Sequence, residues 1–229
     1  MQASLSLANN NLGEPLPVGA DLKKKLLERF AITSAQSLDL SQLCTVIEAS
    51  QASELRLFFK QIFTVRDFDP RYLQLDQLAL RYVFTTNIDD LMYKIFASAH
   101  LRYLNDITMN GPARADKSAV NYAPLHGTVQ NDQSKLTFST TDIASAFAAD
   151  PDLWHLLTNQ MQQLPTLFWG YSLADAGILQ ALNPGTTRGR ELKDRWVILR
   201  AHDPASEEYF RALRFNRNNR GHVQFPGLS

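Results

Sequence analysis

The sequence predicts an α/β protein with a Rossmann-like parallel sheet, helices on both faces and a small helical lobe. Two observations support this prediction. Short runs rich in β-branched and aromatic residues alternate with segments of helical spacing, a pattern typical of parallel sheets covered by helices. The clearest runs end in a polar or glycine-containing turn that is followed by a capped helix, as strands do in open α/β sheets.

Length and composition are those of a globular protein. Of the 229 residues, 45% are hydrophobic and 20% are charged, which allows a single domain over residues 1–229. Lys plus Arg and Asp plus Glu both number 23, and without a positive excess we expect no nucleic-acid partner. The sequence has no signal peptide and no apolar run of membrane-spanning length, so we expect a cytoplasmic protein without membrane contacts.

The first third of the chain is predicted to be mostly helical. Residues 1–18 are interpreted as loop. Apolar residues at helical spacing predict helices over 19–30, 37–49, 52–65 and 72–80. Residues 19–80 would thus form the small lobe beside the sheet. Cys44 is the only cysteine, and we expect it in the core because it lies in an apolar helical run.

The stretch 81–91 is the one around which the rest of the chain is predicted to be organised. Its first half is β-branched and aromatic, as in an interior strand. Asn87 ends that strand, and Asp89 and Asp90 then offer N-caps for a following helix. Thr86 and Asn87 would sit at the carboxyl end of the strand, where open α/β sheets bind ligands.

Two later stretches repeat this arrangement. A strand over 120–125 is predicted to end at His126, and a strand over 166–169 is predicted to end at Gly170 with Ser172 close behind. Because the carboxyl ends of parallel strands meet at one edge of a sheet, the three strand ends are expected to converge on one crevice.

The rest of the chain continues the alternation of strands and helices. Further strands are predicted over 102–108, 135–139, 195–199 and, as a short edge strand, 222–225. Further helices are predicted over 91–96, 143–149, 151–161, 175–182 and 204–213. This alternation predicts a parallel sheet that is covered on both faces.

The ordered set of turns resembles the sirtuin family and its zinc-free bacterial branch. That family has a Thr-x-Asn-Ile-Asp turn, a Leu-His-Gly turn and a later Gly-x-Ser turn, which here occupy residues 85–89, 125–127 and 170–172. The resemblance implies a Rossmann-like enzyme that consumes NAD as its substrate. It also implies that Asn87 positions the attacking water or the ribose, and that His126 is the base acting on the ribose hydroxyls.

The same resemblance implies a set of NAD-binding residues, namely Ser4, Thr86, Asp89, Gly170 and Ser172. Asp89 would hold the nicotinamide side or the loop. Gly170 and Ser172 would pass close to the phosphates or the adenine ribose, where a Cβ would clash. Sirtuins begin with a strand and a Gly-Ala-Gly-x-Ser loop that cradles the pyrophosphate. Only Ala3 and Ser4 look like the end of that loop, so either the chain is truncated there or the cradle is incomplete.

The single cysteine excludes the four-thiolate zinc site that many sirtuins carry, so we expect no zinc. The zinc-free relatives are mostly NAD hydrolases, often effectors of defence against phage. Such effectors are often fused to, or assembled with, a sensor. The resemblance therefore allows a sensor domain, a partner protein or a homo-oligomer. Two other functions also stay open. One is a regulatory module that binds NAD or ADP-ribose without cleaving it, and the other is a zinc-free protein deacylase or ADP-ribosyltransferase.

Overall fold

Two compact units divide the chain, over residues 1–149 and 150–229. The structure is a computed structural model that describes residues 8–32, 36–169, 194–198 and 204–212. Parallel strands and helices occur in both units, which confirms the predicted Rossmann-like α/β class. The elements predicted over 175–182 and 222–225 lie outside the described residues. The single domain over residues 1–229 stays a prediction.

Helices α1 (Gly19–Arg29) and α2 (Leu40–Phe63) form the helical part of the first unit. Asp39 and Gln42 cap α2 with a reciprocal pair of hydrogen bonds between side chain and backbone. The two helices predicted over 37–49 and 52–65 correspond to the two halves of α2. They meet at a kink, where Gln51 has the non-helical angles φ −141° and ψ 44°. The kink lets both halves of α2 direct apolar residues into one core.

That core lies between α1 and α2. Its fully buried members include Leu26, Leu43, Ile47, Phe59 and Ile62. Cys44 is 1% exposed within the same cluster, which confirms that it is a core residue. Burial raises the pKa of its thiol to about 12, because a thiolate is poorly solvated there. Cys44 therefore stays protonated at neutral pH.

A small antiparallel pair was missed by the sequence analysis. Strand β1 (Ala8–Asn10) lies in the segment interpreted as loop, and it pairs with β2 (Val65–Phe68). The helix predicted to reach residue 65 ends at Phe63, because Thr64 is extended, with φ −76° and ψ 118°. The apolar Val65 continues the helical pattern in the sequence, but it belongs to β2. A 3-10 helix over Pro70–Gln77 follows, where an ordinary helix over 72–80 was predicted.

The central sheet of the first unit has three strands in the order β3-β5-β4. Strands β3 (Tyr82–Thr85) and β4 (Tyr103–Asp106) are both parallel to β5 (Ala119–Pro124), and helix α3 (Leu91–Ala97) connects β3 to β4. All six residues of β5 are buried, whereas all four of β3 are half-buried. Among the described residues, the interior position therefore does not belong to the strand predicted at the start of 81–91. Strand β5 takes that place because it has a neighbour on each side.

Helix α4 (Thr140–Ala149) completes the first unit. The strand predicted over 135–139 is wrong, since these residues form no strand and belong to none of the described sheets. The second unit contains α5 (Pro151–Gln163), β6 (Thr166–Trp169), β7 (Arg195–Ile198) and α6 (Pro204–Ala212). Strands β6 and β7 are parallel. Among the described residues, none of the helices has the length and apolar character needed to span a bilayer.

Candidate functional site at the carboxyl ends of β3 and β5

Strands β3 and β5 end side by side. They are parallel and in register, with Thr85 opposite Pro124. The amide of Leu125 donates to the carbonyl oxygen of Thr85 at 2.8 Å, and the amide of Val129 donates to the carbonyl oxygen of Ile88 at 2.8 Å. The loop after β3 and the loop after β5 are thus joined by backbone hydrogen bonds at two levels. Such an edge is where open α/β sheets bind ligands.

Asn87 lies at the exposed rim of the first loop. Its backbone amide donates to Oγ1 of Thr85 at 3.0 Å, which closes a tight turn directly after β3. The side chain of Asn87 stays open to solvent, whereas Asp89, two residues later, is 8% exposed. Thr86, between Thr85 and Asn87, is half-buried.

His126 lies in the second loop and is half-buried. Leu125 is anchored to β3, and the carbonyl oxygen of His126 accepts from the amide of Thr137 at 2.9 Å. Gly127 follows with φ +79°, a conformation that favours glycine. The structure therefore brings the loops of the two predicted catalytic residues, Asn87 and His126, to the same edge of one sheet. Their catalytic roles stay predictions.

Asp89 holds the first loop together. Its Oδ1 accepts from the amide of Leu91, the first residue of α3, at 3.1 Å, although the N-cap position itself belongs to Asp90. Burial raises the pKa of this carboxyl to about 6, against the opposing effect of hydrogen bonds from the Leu91 amide and the Asn87 side chain. At neutral pH Asp89 is therefore mostly a buried carboxylate in the same loop as Asn87. The predicted contact of Asp89 with nicotinamide stays a prediction.

Asp90 does not cap α3 with its side chain, although the sequence suggested that it could. Its Oδ1 instead accepts from the amide of Val65 at 2.6 Å, and its Oδ2 lies 3.9 Å from Nζ of Lys94. Asp90 therefore ties the start of β2 to the start of α3. The two neighbouring aspartates therefore make different contacts. Asp89 accepts from the first amide of α3, and Asp90 accepts from the first amide of β2.

A third buried carboxylate belongs to the same edge and was missed by the sequence analysis. Asp106 ends β4, opposite Tyr122 of β5, and is 2% exposed. It accepts a short hydrogen bond from the hydroxyl of Tyr93 and two more from Thr108. Burial and the Asp106 carboxylate raise the pKa of the Tyr93 phenol. The rule that selected Asn87, a polar residue at a strand end, would also have selected Asp106.

Tyr122 connects these groups at the centre of the sheet. Its ring lies 5.2 Å from that of Tyr93 in an edge-to-face arrangement. Burial raises its pKa, and so do Tyr93 and the nearby carboxylates of Asp89, Asp106 and Asp90. The edge therefore carries negative charge beneath its surface.

Three of the predicted binding residues lie outside the described part of the chain, namely Ser4, Gly170 and Ser172. Their convergence with Asn87 and His126 stays a prediction. Within residues 8–32, 36–169, 194–198 and 204–212, His, Cys, Asp and Glu form no group of three or more that could hold a metal ion.

Comparison with known protein families gives a match over more than half of the chain. The model of the SIR2-like domain covers residues 81–219, beginning one residue before β3 and including the loops that carry Asn87 and His126. No protein with a curated function matches the chain significantly. SIR2-like domains use NAD as a substrate. The chain belongs to the SIR2-like domain family.

Proposed function

We propose that the protein hydrolyses NAD to nicotinamide and ADP-ribose. One observation supports this most directly. The loops of Asn87 and His126 are joined by backbone hydrogen bonds at the carboxyl edge of β3 and β5. A neutral amide and an imidazole are therefore available on adjacent loops, and these are groups that can orient a ribose and accept a proton near neutral pH.

The reaction breaks the bond between C1′ of the ribose and the pyridinium nitrogen of nicotinamide. The bonding electrons move to that nitrogen and neutralise its positive charge, so the leaving group needs no general acid. Positive charge develops on the ribose, water adds to C1′, and the water proton passes to a base. In this proposal Asn87 orients the ribose or the water, and His126 takes up a proton from a ribose hydroxyl or from the water.

The charge of the site also suits this substrate. The nicotinamide ring of NAD is cationic, and so is the ribose in the transition state. Buried carboxylates act strongly in a low-dielectric environment. Asp89, at the base of the Asn87 turn, and Asp106, at the end of β4, are both buried. They would favour a cation above the edge, which supports cleavage of NAD over reactions that develop an anion there.

The test is a turnover assay with NAD in H₂¹⁸O, followed by separation of nicotinamide from ADP-ribose. We expect equal amounts of both products, with one ¹⁸O atom in each ADP-ribose. Asn87→Ala and His126→Ala should each lower kcat/KM by about 100-fold or more. The exposed residues Asn110 and His100 provide matched controls, and Asn110→Ala and His100→Ala should behave like the wild type.

Other outcomes would replace the proposal. Binding of NAD in calorimetry with no product would favour a regulatory NAD or ADP-ribose module. Product formed only with an acyl-lysine peptide or a protein acceptor would favour a deacylase or an ADP-ribosyltransferase. Wild-type turnover in both the Asn87→Ala and His126→Ala variants would remove these two residues from the mechanism.

A role in defence against phage is the cellular function that we propose for such an activity. An enzyme that destroys NAD harms its own cell, so its activity must await a trigger from a sensor domain, a partner protein or assembly. Bacteria that express the protein should lose NAD after infection and should release fewer phage. The same cells with His126→Ala should keep their NAD, and equal phage yields from both strains would contradict this role.

A further inference from the structure

We propose that Arg56 is a positioning residue for His126. It would act through residues 131–138, here called the buttress segment, which lies between α2 and the turn of His126 and Gly127. This inference rests on the proposed function, because it assigns His126 a catalytic role. Its structural part, that Arg56 holds the loop of His126 in place, can be tested without any activity.

The contact of Arg56 with the buttress segment is bidentate. Nη1 of Arg56 donates to the carbonyl oxygen of Ser134 at 2.7 Å, and Nη2 donates to that of Asn131 at 2.9 Å. Two backbone oxygens three residues apart are thereby fixed by one planar group. A lysine in this position could not reproduce the fork, because its ammonium is a single point of charge.

The buttress segment in turn holds the His126 turn at three points. The amide of Thr128 donates to Oγ of Ser134 at 3.1 Å. The amide of Thr137 donates to the carbonyl oxygen of His126 at 2.9 Å. Between these bonds the backbones pack so closely that a Cβ on Gly127 would lie 2.2 Å from the carbonyl oxygen of Lys135. A shift of the segment would therefore shift the turn.

Other contacts also attach the segment to α2, and they differ from the Arg56 contact. The ring of Phe138 lies 4.7 Å from the ring of Phe59, which anchors the far end of the segment in the core. Lys60 pairs with Asp132 at 2.7 Å, but these side chains are 49% and 71% exposed, so this pair contributes little. Arg56 is thus the polar anchor of the end that contains Ser134.

Loss of the Arg56 guanidinium should loosen the turn without unfolding the protein. Arg56 and Ser134 are half-buried, so water can reach the carbonyl oxygens that Arg56 would leave. Most buried residues of the core belong to α1 and α2, so the fold keeps most of its apolar packing. A looser turn would place His126 correctly for a smaller fraction of the time, which lowers kcat more than it changes KM.

The experiment combines hydrogen exchange with kinetics on the wild type, Arg56→Ala, Arg56→Lys and the control Lys60→Ala. For Arg56→Ala we expect the amides of Thr128 and Thr137 to exchange about tenfold faster. We also expect kcat to fall about tenfold, with KM within about twofold. Arg56→Lys should be intermediate, and Lys60→Ala should stay within about twofold of the wild type in all three quantities.

Several results would overturn the inference. These are unchanged exchange in a folded Arg56→Ala protein, a rise in KM with kcat unchanged, or an equal effect of Lys60→Ala. If Arg56→Ala does not fold, Arg56→Lys is judged by the same exchange and kinetic criteria. If the wild type shows no NAD turnover, the proposed function fails, but the exchange of Thr128 and Thr137 still decides whether Arg56 holds the turn.

Discussion

The backbone amide of Leu125 donates a hydrogen bond of 2.8 Å to the carbonyl oxygen of Thr85. This bond extends the pairing of β3 and β5 by one step beyond the strands. The loop of His126 and the loop of Asn87 therefore begin next to each other, at the paired ends of β5 and β3. Two parallel strands in register, each followed by a polar turn, are enough to produce this arrangement. It explains why two residues about forty positions apart in the sequence lie at one edge of the sheet.

Removal of the Thr85 hydroxyl should loosen the Asn87 turn. Oγ1 of Thr85 accepts from the amide of Asn87 at 3.0 Å, and a valine keeps the shape but offers no acceptor. Thr85→Val should lower the free energy of unfolding by about 1 kcal/mol and lower NAD turnover by roughly fivefold or more. Thr64→Val is the control, because Oγ1 of Thr64 bonds only within α2, to the carbonyl oxygen of Lys60. Equal turnover in both variants would contradict the role of Thr85.

Gly127→Ala should be more costly than Gly111→Ala. Both glycines have positive φ, +79° and +88°, so both variants carry the backbone strain of about 1–2 kcal/mol. Only Gly127 has an atom in the way, the carbonyl oxygen of Lys135 at 2.2 Å, whereas Gly111 has open space. Urea unfolding should show an additional loss of about 1–3 kcal/mol for Gly127→Ala. Similar losses for the two variants would show that the contact with the buttress segment is not tight.

The two turns at the edge of β3 and β5 could be predicted from the sequence because their signals are local, and their role as a site stays a prediction. A β-branched run that ends at Asn87, and another run that ends at His126, are each visible within about ten residues. The bond from the Leu91 amide to Asp89 and the helical core around Cys44 are local in the same sense, and the structure confirms that Cys44 lies in the core.

The features that could not be predicted depend on contacts between residues far apart in the sequence. The order β3-β5-β4 makes β5 rather than β3 the buried strand, and this order is set by pairing across the chain. Residues 135–139 have strand-like composition, but the amide of Thr137 donates to the carbonyl oxygen of His126. The carbonyl oxygen of the preceding Ser134 accepts from Arg56, 78 residues away. Strand β1 was missed because three residues are too short to show a pattern.

The ionisation of Asp89 should make the protein less stable as pH rises through the acid range. The pKa of this carboxyl is 3.8 in the absence of the fold and about 6 in the folded protein. Between these values the folded state binds more protons than the unfolded state, so stability falls as pH rises from about 4 to about 6. Asp89→Asn removes the titration and keeps an oxygen that can accept from the Leu91 amide.

Urea unfolding at pH 4.5 and pH 7 tests this expectation. The stability of Asp89→Asn relative to the wild type should rise between the two pH values by about 2 kcal/mol. The exposed Asp21 provides the control, and Asp21→Asn should run parallel to the wild type. A constant difference between Asp89→Asn and the wild type would show that Asp89 does not titrate in this range.

Tyr93→Phe should destabilise the sheet edge. The Tyr93 hydroxyl donates to Asp106, which is 2% exposed, so the variant leaves a buried carboxylate with one donor fewer. The expected loss is about 1–3 kcal/mol in the free energy of unfolding. Tyr103→Phe is the matched control, because the Tyr103 hydroxyl lies 3.3 Å from the exposed Asp116, and it should cost less than about 0.5 kcal/mol. Equal costs would contradict the buried role of Asp106.

In the proposed reaction Asn87 and His126 act together on the ribose of NAD. A double-mutant cycle of kcat/KM for NAD, with Asn87→Ala, His126→Ala and the combined variant, tests it most directly. Residues that act as a unit are non-additive, so the combined variant should lose about as much activity as the more impaired single variant. Wild-type turnover in either single variant, or losses that multiply in the combined variant, would contradict the claim.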